Sequence, residues 1–309
     1  MPGIVTLTVN PTIDKSSSVG TVASEIKMRC DPPTFHPGGG GINVSRVIRK
    51  LGGDSIVVYT SGGEMGVMLT DLLQQDHLST RPVPIAGLTR QNLSVYERSS
   101  GLQYRFGMPG PEINEEEANR CLDAALESQP DYLVASGSLA PGMSDDFYAQ
   151  LLQRTRGTDT RVIVDTSGAA LEAVKEGGAF LLKPNLRELE VLSGTSFQGE
   201  KHVQEMGSTL IADGWAEVLV VSMGGGGAVF ITASSCVRLR PPVVPIQSKV
   251  GAGDSMVGGI VWALASGHSL LDSIRYGVAA GSAAVMTPGT ELCLAEDVWD
   301  LYERIAVME

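Results

Sequence analysis

Short β-branched or apolar runs alternate along the chain with segments of helical period. The runs Ile4–Val9, Ile56–Tyr59, Tyr132–Ala135, Val162–Asp165, Phe180–Leu182, Val218–Ser222 and Ala228–Thr232 predict strands. Between them, Val44, Val47, Ile48 and Leu51 fall at i, i+3, i+4 and i+7. Ala118, Cys121, Leu122 and Ala125 share that spacing, and both sets predict amphipathic helices. Strand alternating with helix implies right-handed crossovers and a mostly parallel sheet covered on both faces. Ligands in such sheets bind beyond the carboxyl ends of the strands.

One stretch departs from this rhythm. Gln91 to Phe106 alternates around Ser99-Ser100-Gly101, with Leu93 and Val95 before the turn and Leu102, Tyr104 and Phe106 after it. That pattern predicts a β-hairpin. Residues 12–36 are strand-like without a helical period, so 12–36 and 89–108 together predict a small sheet projecting from the main body. A small sheet with one apolar face must cover it, and a lid that doubles as a dimer contact meets that need. No repeat or linker divides the chain, which predicts a single domain over residues 1–309.

Composition narrows the function. At 309 residues, roughly 75% of the unfolded surface is buried on folding, so a large core is available. Mean hydropathy is +0.09. No run approaches the ~18 apolar residues of a membrane span, and the N-terminus reads as a first strand with no signal peptide. The net charge of −12 disfavours nucleic acid and anionic membranes. A phosphorylated substrate would therefore need basic groups gathered at its site, with Lys27, Arg29, Arg90, Arg105 and Lys183 as candidates. The four cysteines are dispersed, as expected of reduced thiols in a cytoplasmic protein, and the four histidines show no metal-ligand spacing.

The richest junction for chemistry is Val250-Gly251-Ala252-Gly253-Asp254-Ser255, which runs into the apolar segment Met256–Leu264. Its glycines permit a tight turn that leaves backbone N–H groups bare at a helix start, an anion cradle. Asp254 lies in the same turn, and an ordinary aspartate is ionised at neutral pH. An anion cradle beside a base suits phosphoryl transfer to an alcohol. Gly38-Gly39-Gly40-Gly41 before Ile42-Asn43 makes a second cradle at a helix start, yet it fits neither the dinucleotide fingerprint nor the P-loop. Asn185 and Glu188, after Lys183-Pro184, read either as Mg²⁺ ligands acting through water or as a helix-capping pair. The run Ser222-Met223-Gly224-Gly225-Gly226-Gly227 reads either as a close approach to a nucleotide or as a glycine hairpin. Asp14, after the first strand, reads as a sugar-hydroxyl acceptor or a turn residue, and Arg90 as a phosphate grip or a solvated loop residue.

In their order and their placement at strand ends, these features resemble the ribokinase-like (PfkB) sugar kinases. Gly38–Asn43 corresponds to the first family signature and Val250–Ser255 to the second. The resemblance spans essentially the whole chain and is nearest to the family's minor bacterial 6-phosphofructokinase branch, through Thr89–Leu93, Gln103–Phe106 and Gly277–Ala284 as well. It implies a three-layer α/β/α fold with a mostly parallel central sheet and a small β-sheet lid. It implies transfer of the ATP γ-phosphate to the 1-hydroxyl of fructose 6-phosphate. Asp254 would be the base, and the Gly251, Ala252 and Gly253 amides would hold the migrating group. Asn185 and Glu188 would organise Mg²⁺. Lys183, Ser222, Gly224, Gly225, Gly227, Val278 and Ser282 would bind ATP, with Lys27 reaching it from the lid. Asp14, Gly39, Gly40, Asn43, Arg90 and Ser138 would hold the sugar phosphate. Backbone groups near Ser248, Val250, Ala284, Thr287 and Gly289 would form a K⁺ site.

The resemblance further implies a cytoplasmic homodimer joined through the lids, and a tetramer when ATP is abundant. Related activities are tagatose-6-phosphate kinase and 1-phosphofructokinase, whose members usually have Lys at the position of Gly40. A non-catalytic sugar-phosphate sensor is an alternative of a different class. Lys249 stands where a small hydroxyl residue is more usual, Thr287 where the near relative has Asn, and Arg187 in place of a lysine.

Overall fold

The computed structural model describes residues 3–308. Its strands are β1 (Ile4–Thr8), β2 (Thr12–Val19), β3 (Thr34–Gly38), β4 (Ile56–Ser61), β5 (Ser79–Pro84), β6 (Arg90–Glu97), β7 (Gln103–Phe106), β8 (Tyr132–Ser136), β9 (Arg161–Asp165), β10 (Ala179–Leu182), β11 (Ala216–Ser222), β12 (Ala228–Ile231), β13 (Cys236–Arg240) and β14 (Ala306–Met308). The helices are α1 (Gly40–Lys50), α2 (Gly63–Gln75), α3 (Glu115–Leu126), α4 (Phe147–Arg154), α5 (Ala169–Glu172), α6 (Leu186–Ser193), α7 (Glu200–Ala212), α8 (Ala252–Ala265), α9 (Leu270–Ala284) and α10 (Ala295–Arg304).

Ten strands form one sheet in the order β14-β13-β12-β11-β10-β9-β8-β1-β4-β5. From β11 to β5 every neighbour is parallel, and β12, β13 and β14 close one edge antiparallel. The central strands are buried on both faces, so β1 and β8 are mostly apolar, interrupted only by Thr6, Thr8 and Ser136. The helices α1, α8, α9 and α10 cover one face through Val47, Val257, Ile274 and Val298. On the other face α3, α4 and α7 pack Leu122, Leu151 and Met206. This is the layered α/β architecture that the alternation predicts. β5 was not among the predicted strands, because Ser79–Pro84 contains Pro82 and Pro84. It holds an edge, where a missing N–H donor is tolerated.

A second sheet of four strands runs β3-β2-β6-β7. The predicted hairpin is present, with Leu93 opposite Phe106 and Val95 opposite Tyr104. β2 joins it in parallel with β6 and antiparallel with β3. Alternation gives this sheet two unlike faces. One presents Asp14, Ser16, Asn92, Ser94 and Arg105 to a cavity, and the other presents Leu93, Val95, Tyr104 and Phe106. No helix among the described residues is long and apolar enough to cross a membrane.

Because β1, β8, β9, β10 and β11 are parallel, their carboxyl ends come out together. Thr8, Ser136, Asp165, Leu182 and Ser222 therefore mark one edge of the molecule.

Candidate active site

The site is built where α8 meets α1 above these strand ends. Gly251 precedes α8 in the left-handed conformation, φ 73°, which a side chain would strain. The helix starts with Ser255 N–H donating to Gly251 C=O at 2.8 Å. The N–H groups of the first turn have no partner within the helix, and the helix dipole adds positive potential there. Asp254 sits in that turn.

The glycine run enters α1 by passing between the ends of β1 and β8. A Cβ at Gly41 would lie 2.7 Å from Thr8 Oγ1 and 2.8 Å from the Leu7 carbonyl oxygen, and one at Gly40 would strike Ser136 Oγ. Glycine is required by this close approach, and the approach brings Asn43 to α8. Asn43 Nδ2 donates to Asp254 Oδ2 at 2.8 Å. Asn43 is only 7% exposed, and its Oδ1 has no protein partner.

Charge at the site is concentrated in a few buried groups. Lys183, directly after β10, lies 3.1 Å from Asp165 at the end of β9. Burial acts to lower the Lys183 pKa, but the field of Asp165, their hydrogen bond, and the charges of Asp254 and Glu188 outweigh it and hold the ammonium above its usual range. Asp254 is pushed up to about 6 by burial and then by Asp165, against the Asn43 hydrogen bond and Lys183. That is well above the ordinary aspartate expected from the sequence. The Glu188 pKa is also raised, first by burial.

Asn185 and Glu188 form the capping pair that their spacing allows. Asn185 Oδ1 accepts from the Arg187 and Glu188 N–H groups at 2.9 and 3.1 Å, and Glu188 Oε2 accepts from Asn185 N–H at 2.8 Å.

Two cavities flank the turn. One, of about 390 Å³, contains Ser222, Gly224, Gly225, Gly227, Val278 and Ser282, with Ala252 and Gly253 at its end. The second, of about 300 Å³, lies under the polar face of the small sheet and includes Asp14, Asn92, Arg105, Val250, Gly289 and Thr290. Asn92 Nδ2 donates to Asp14 Oδ1 at 3.1 Å. Arg90 clamps the main chain, donating to the carbonyls of Asn10, Met108 and Pro11 at 2.9, 3.0 and 3.4 Å. Ser138 is exposed at the end of β8, and its hydroxyl accepts from Asn10 Nδ2 at 3.4 Å. Gly39 adopts φ 122° against Thr8 and Pro11.

Ser248, Val250, Ala284, Thr287 and Gly289 are also brought together. Ser248 Oγ donates to Gly289 C=O at 2.9 Å and accepts from Val250 N–H at 3.2 Å, while Thr287 Oγ1 donates to the Ala284 carbonyl at 2.9 Å. Lys27 stands apart, exposed on the loop between β2 and β3, with no hydrogen bond or ion pair among the described residues. Asp165 is the group that sequence reasoning missed. Its signal was its position, a carboxylate ending a predicted parallel strand at the ligand-binding edge. Asn10, whose Oδ1 is buried without a partner, was missed in the same way.

Comparison with known proteins identifies the family. The family described as pfkB family carbohydrate kinase matches residues 4–297. The ATP-dependent 6-phosphofructokinase isozyme 2 of Mycobacterium tuberculosis is 41% identical over 307 residues, 99% of this chain and 90% of the relative. The isozyme 2 of Escherichia coli is 40% identical, over 99% of this chain and 100% of the relative. The structure of Escherichia coli phosphofructokinase-2 in complex with potassium superposes with a TM-score of 0.94 at 40% identity, covering 98% and 99% of the two chains. The chain belongs to the pfkB family of carbohydrate kinases.

Proposed function

We propose that this chain is an ATP-dependent 6-phosphofructokinase, transferring the γ-phosphate of ATP to the 1-hydroxyl of fructose 6-phosphate to give fructose 1,6-bisphosphate and ADP. The observation that carries this is the Asp254 carboxylate, fixed by Asn43 at 2.8 Å in the first turn of α8, between the two cavities. Full-length identity of 40–41% to relatives named for that activity supports the choice of substrate.

In this reading the sugar's 1-hydroxyl gives its proton to Asp254 as its oxygen attacks the γ-phosphorus. The bond between that phosphorus and the bridging oxygen breaks, and ADP leaves. The Gly251, Ala252 and Gly253 amides face the charge that develops on the transferring group, where fixed donors are worth most. With a pKa of about 6, Asp254 is mostly ionised at neutral pH and close enough to it to be an effective base. Asp14, Asn43 and the amides of Gly39 and Gly40 hold the sugar hydroxyls, while Arg90 and Ser138 take the 6-phosphate. Ser222, Gly224, Gly225, Gly227, Val278 and Ser282 form the nucleotide cavity, with Lys183 toward its phosphates and Lys27 closing over it from the small sheet.

The half-buried Glu188 carboxylate and the Asn185 side chain lie together at the start of α6, after the buried Lys183. Oxygen donors of this kind, with substrate phosphates completing the shell, fit Mg²⁺. Mg²⁺ would neutralise phosphate charge there. The oxygens around Ser248, Val250, Ala284, Thr287 and Gly289 suit K⁺, the ion named with the Escherichia coli structure. The chain acts as one ribokinase-like unit in the cytoplasm. The apolar face of its small sheet pairs with that of a second copy, and the dimer associates further to a tetramer with ATP.

Comparing kcat/KM for fructose 6-phosphate, tagatose 6-phosphate and fructose 1-phosphate tests the substrate. A preference for either of the last two would replace this assignment, and no ADP release with any of them would leave a sugar-phosphate sensor.

A further inference from the structure

We infer that the Lys249 ammonium binds the polyphosphate of the nucleotide in the 390 Å³ cavity. The inference rests on the reading of that cavity as the nucleotide site.

Lys249 immediately precedes the Val250-Gly251 turn that opens α8, and it lines this cavity with Ala252 and Gly253 of the anion cradle. Among the described residues it is the one ionisable side chain that does so. It is exposed, and it makes no hydrogen bond or ion pair within the described chain. The rest of the lining is backbone glycine, serine hydroxyls and the apolar side chains of the 241–246 strap and α9. The apolar walls suit a base and the cradle suits phosphate, so Lys249 stands at the phosphate end.

The charge balance of the site favours such a group. Lys183 is buried and already pairs with Asp165 at 3.1 Å, and it also faces Asp254 and Glu188. One ammonium among several carboxylates leaves the centre negative, in a chain of net charge −12. A triphosphate entering there, even with Mg²⁺, meets a negative field that a further cation not already neutralised would reduce. Lys249 is placed to do so.

The test is equilibrium binding of ATP, AMP and adenosine to the full-length protein and to its Lys249→Gln and Lys249→Arg variants. An exposed ion pair is modest, so Lys249→Gln is expected to weaken ATP binding about two- to fivefold at low salt. Lys249→Arg should restore it, and adenosine should bind all three proteins alike. The ATP difference should close at about 1 M salt, where screening reaches about 3 Å. Unchanged ATP affinity in Lys249→Gln, with wild-type binding intact, overturns the phosphate contact alone. Equal losses for ATP and adenosine also overturn it, since they would report a disturbed cavity. A wild-type protein that binds no ATP overturns the nucleotide reading of the cavity and this inference with it.

Discussion

Asn43 and Asp254 stand at the starts of two different helices, and the amide of one holds the carboxylate of the other at 2.8 Å. Each belongs to a glycine-rich turn, and neither turn is a site without the other. The hydrogen bond fixes Oδ2 of the carboxylate, and Oδ1 is the oxygen that the proposed mechanism assigns to the substrate hydroxyl.

Removing that carboxylate tests its role. Asp254→Asn is expected to lower kcat by about 10²–10⁴-fold, the usual worth of a positioned base. ATP should still bind, because the cradle is made of backbone. The variant should be at least as stable as wild type at pH 7, since burial already disfavours the ionised carboxylate. Steady-state kinetics, nucleotide titration and a melting curve check the three parts. Near-normal turnover would remove Asp254 from the mechanism.

The pH profile depends on the same group. Its folded pKa, raised to about 6, means that the base is lost by protonation as pH falls through 6. kcat/KM for the sugar phosphate should fall on the acid side with a midpoint near 6, approaching tenfold per pH unit below it. The stability contribution has the opposite sense. The folded state holds its proton up to a higher pH than the unfolded chain, so this group's contribution declines as pH rises from about 4 to 6. An acid limb centred near 4 would contradict the buried, like-charged surroundings of Asp254.

Much of this was legible in the sequence because a parallel sheet buries its strands on both faces. Val218–Ser222 and Tyr132–Ala135 read as continuous apolar runs, and the residues just beyond the ends of such runs form the site edge. Other parts were not legible, for physical reasons. β13 contains Arg238 and Arg240, so its composition looks exposed, although Arg238 lies buried with its guanidinium against Met223 and the Gly226 carbonyl. The raised pKa of Asp254 comes first from burial and then from Asp165, and both arise only in the fold. The three carbonyls that Arg90 clamps belong to distant loops, and no local pattern marks them.

Asp165 offers a stability test as well as a catalytic one. Asp165→Asn leaves the Lys183 ammonium buried without its partner, a change that typically costs about 3–5 kcal/mol. Urea unfolding should show that loss. The same substitution removes a negative charge that raises Asp254, so the acid limb of the rate profile should move to lower pH. Loss of stability with an unmoved acid limb would separate Asp165 from the base.

Arg90 joins two roles that one substitution can part. Arg90→Ala is expected to raise KM for the sugar phosphate about 10- to 100-fold, the scale of charged hydrogen bonds, with little change for ATP. Its clamp on the Asn10, Pro11 and Met108 carbonyls predicts a smaller additional loss of thermal stability. Arg90→Lys keeps the charge without the planar fork and should recover only part of the affinity. Equal changes in KM for both substrates would argue for the clamp alone.

The small sheet tests the quaternary reading. Its polar face turns toward the 300 Å³ cavity, and alternation puts Leu93, Val95, Tyr104 and Phe106 on the other, where the first three are half-buried and Phe106 is exposed. Phe106 is 50% exposed there, a large apolar surface to leave in water. Pairing two such faces would remove it from solvent and hold both sheets over their sites. Phe106→Asp places a charge in that contact, where an unpaired charge is costly. Sedimentation should then show monomer where the wild type shows dimer, and KM for the sugar phosphate should rise because the sheet above the cavity loses its support. If the variant remains a dimer, the two copies join through another surface.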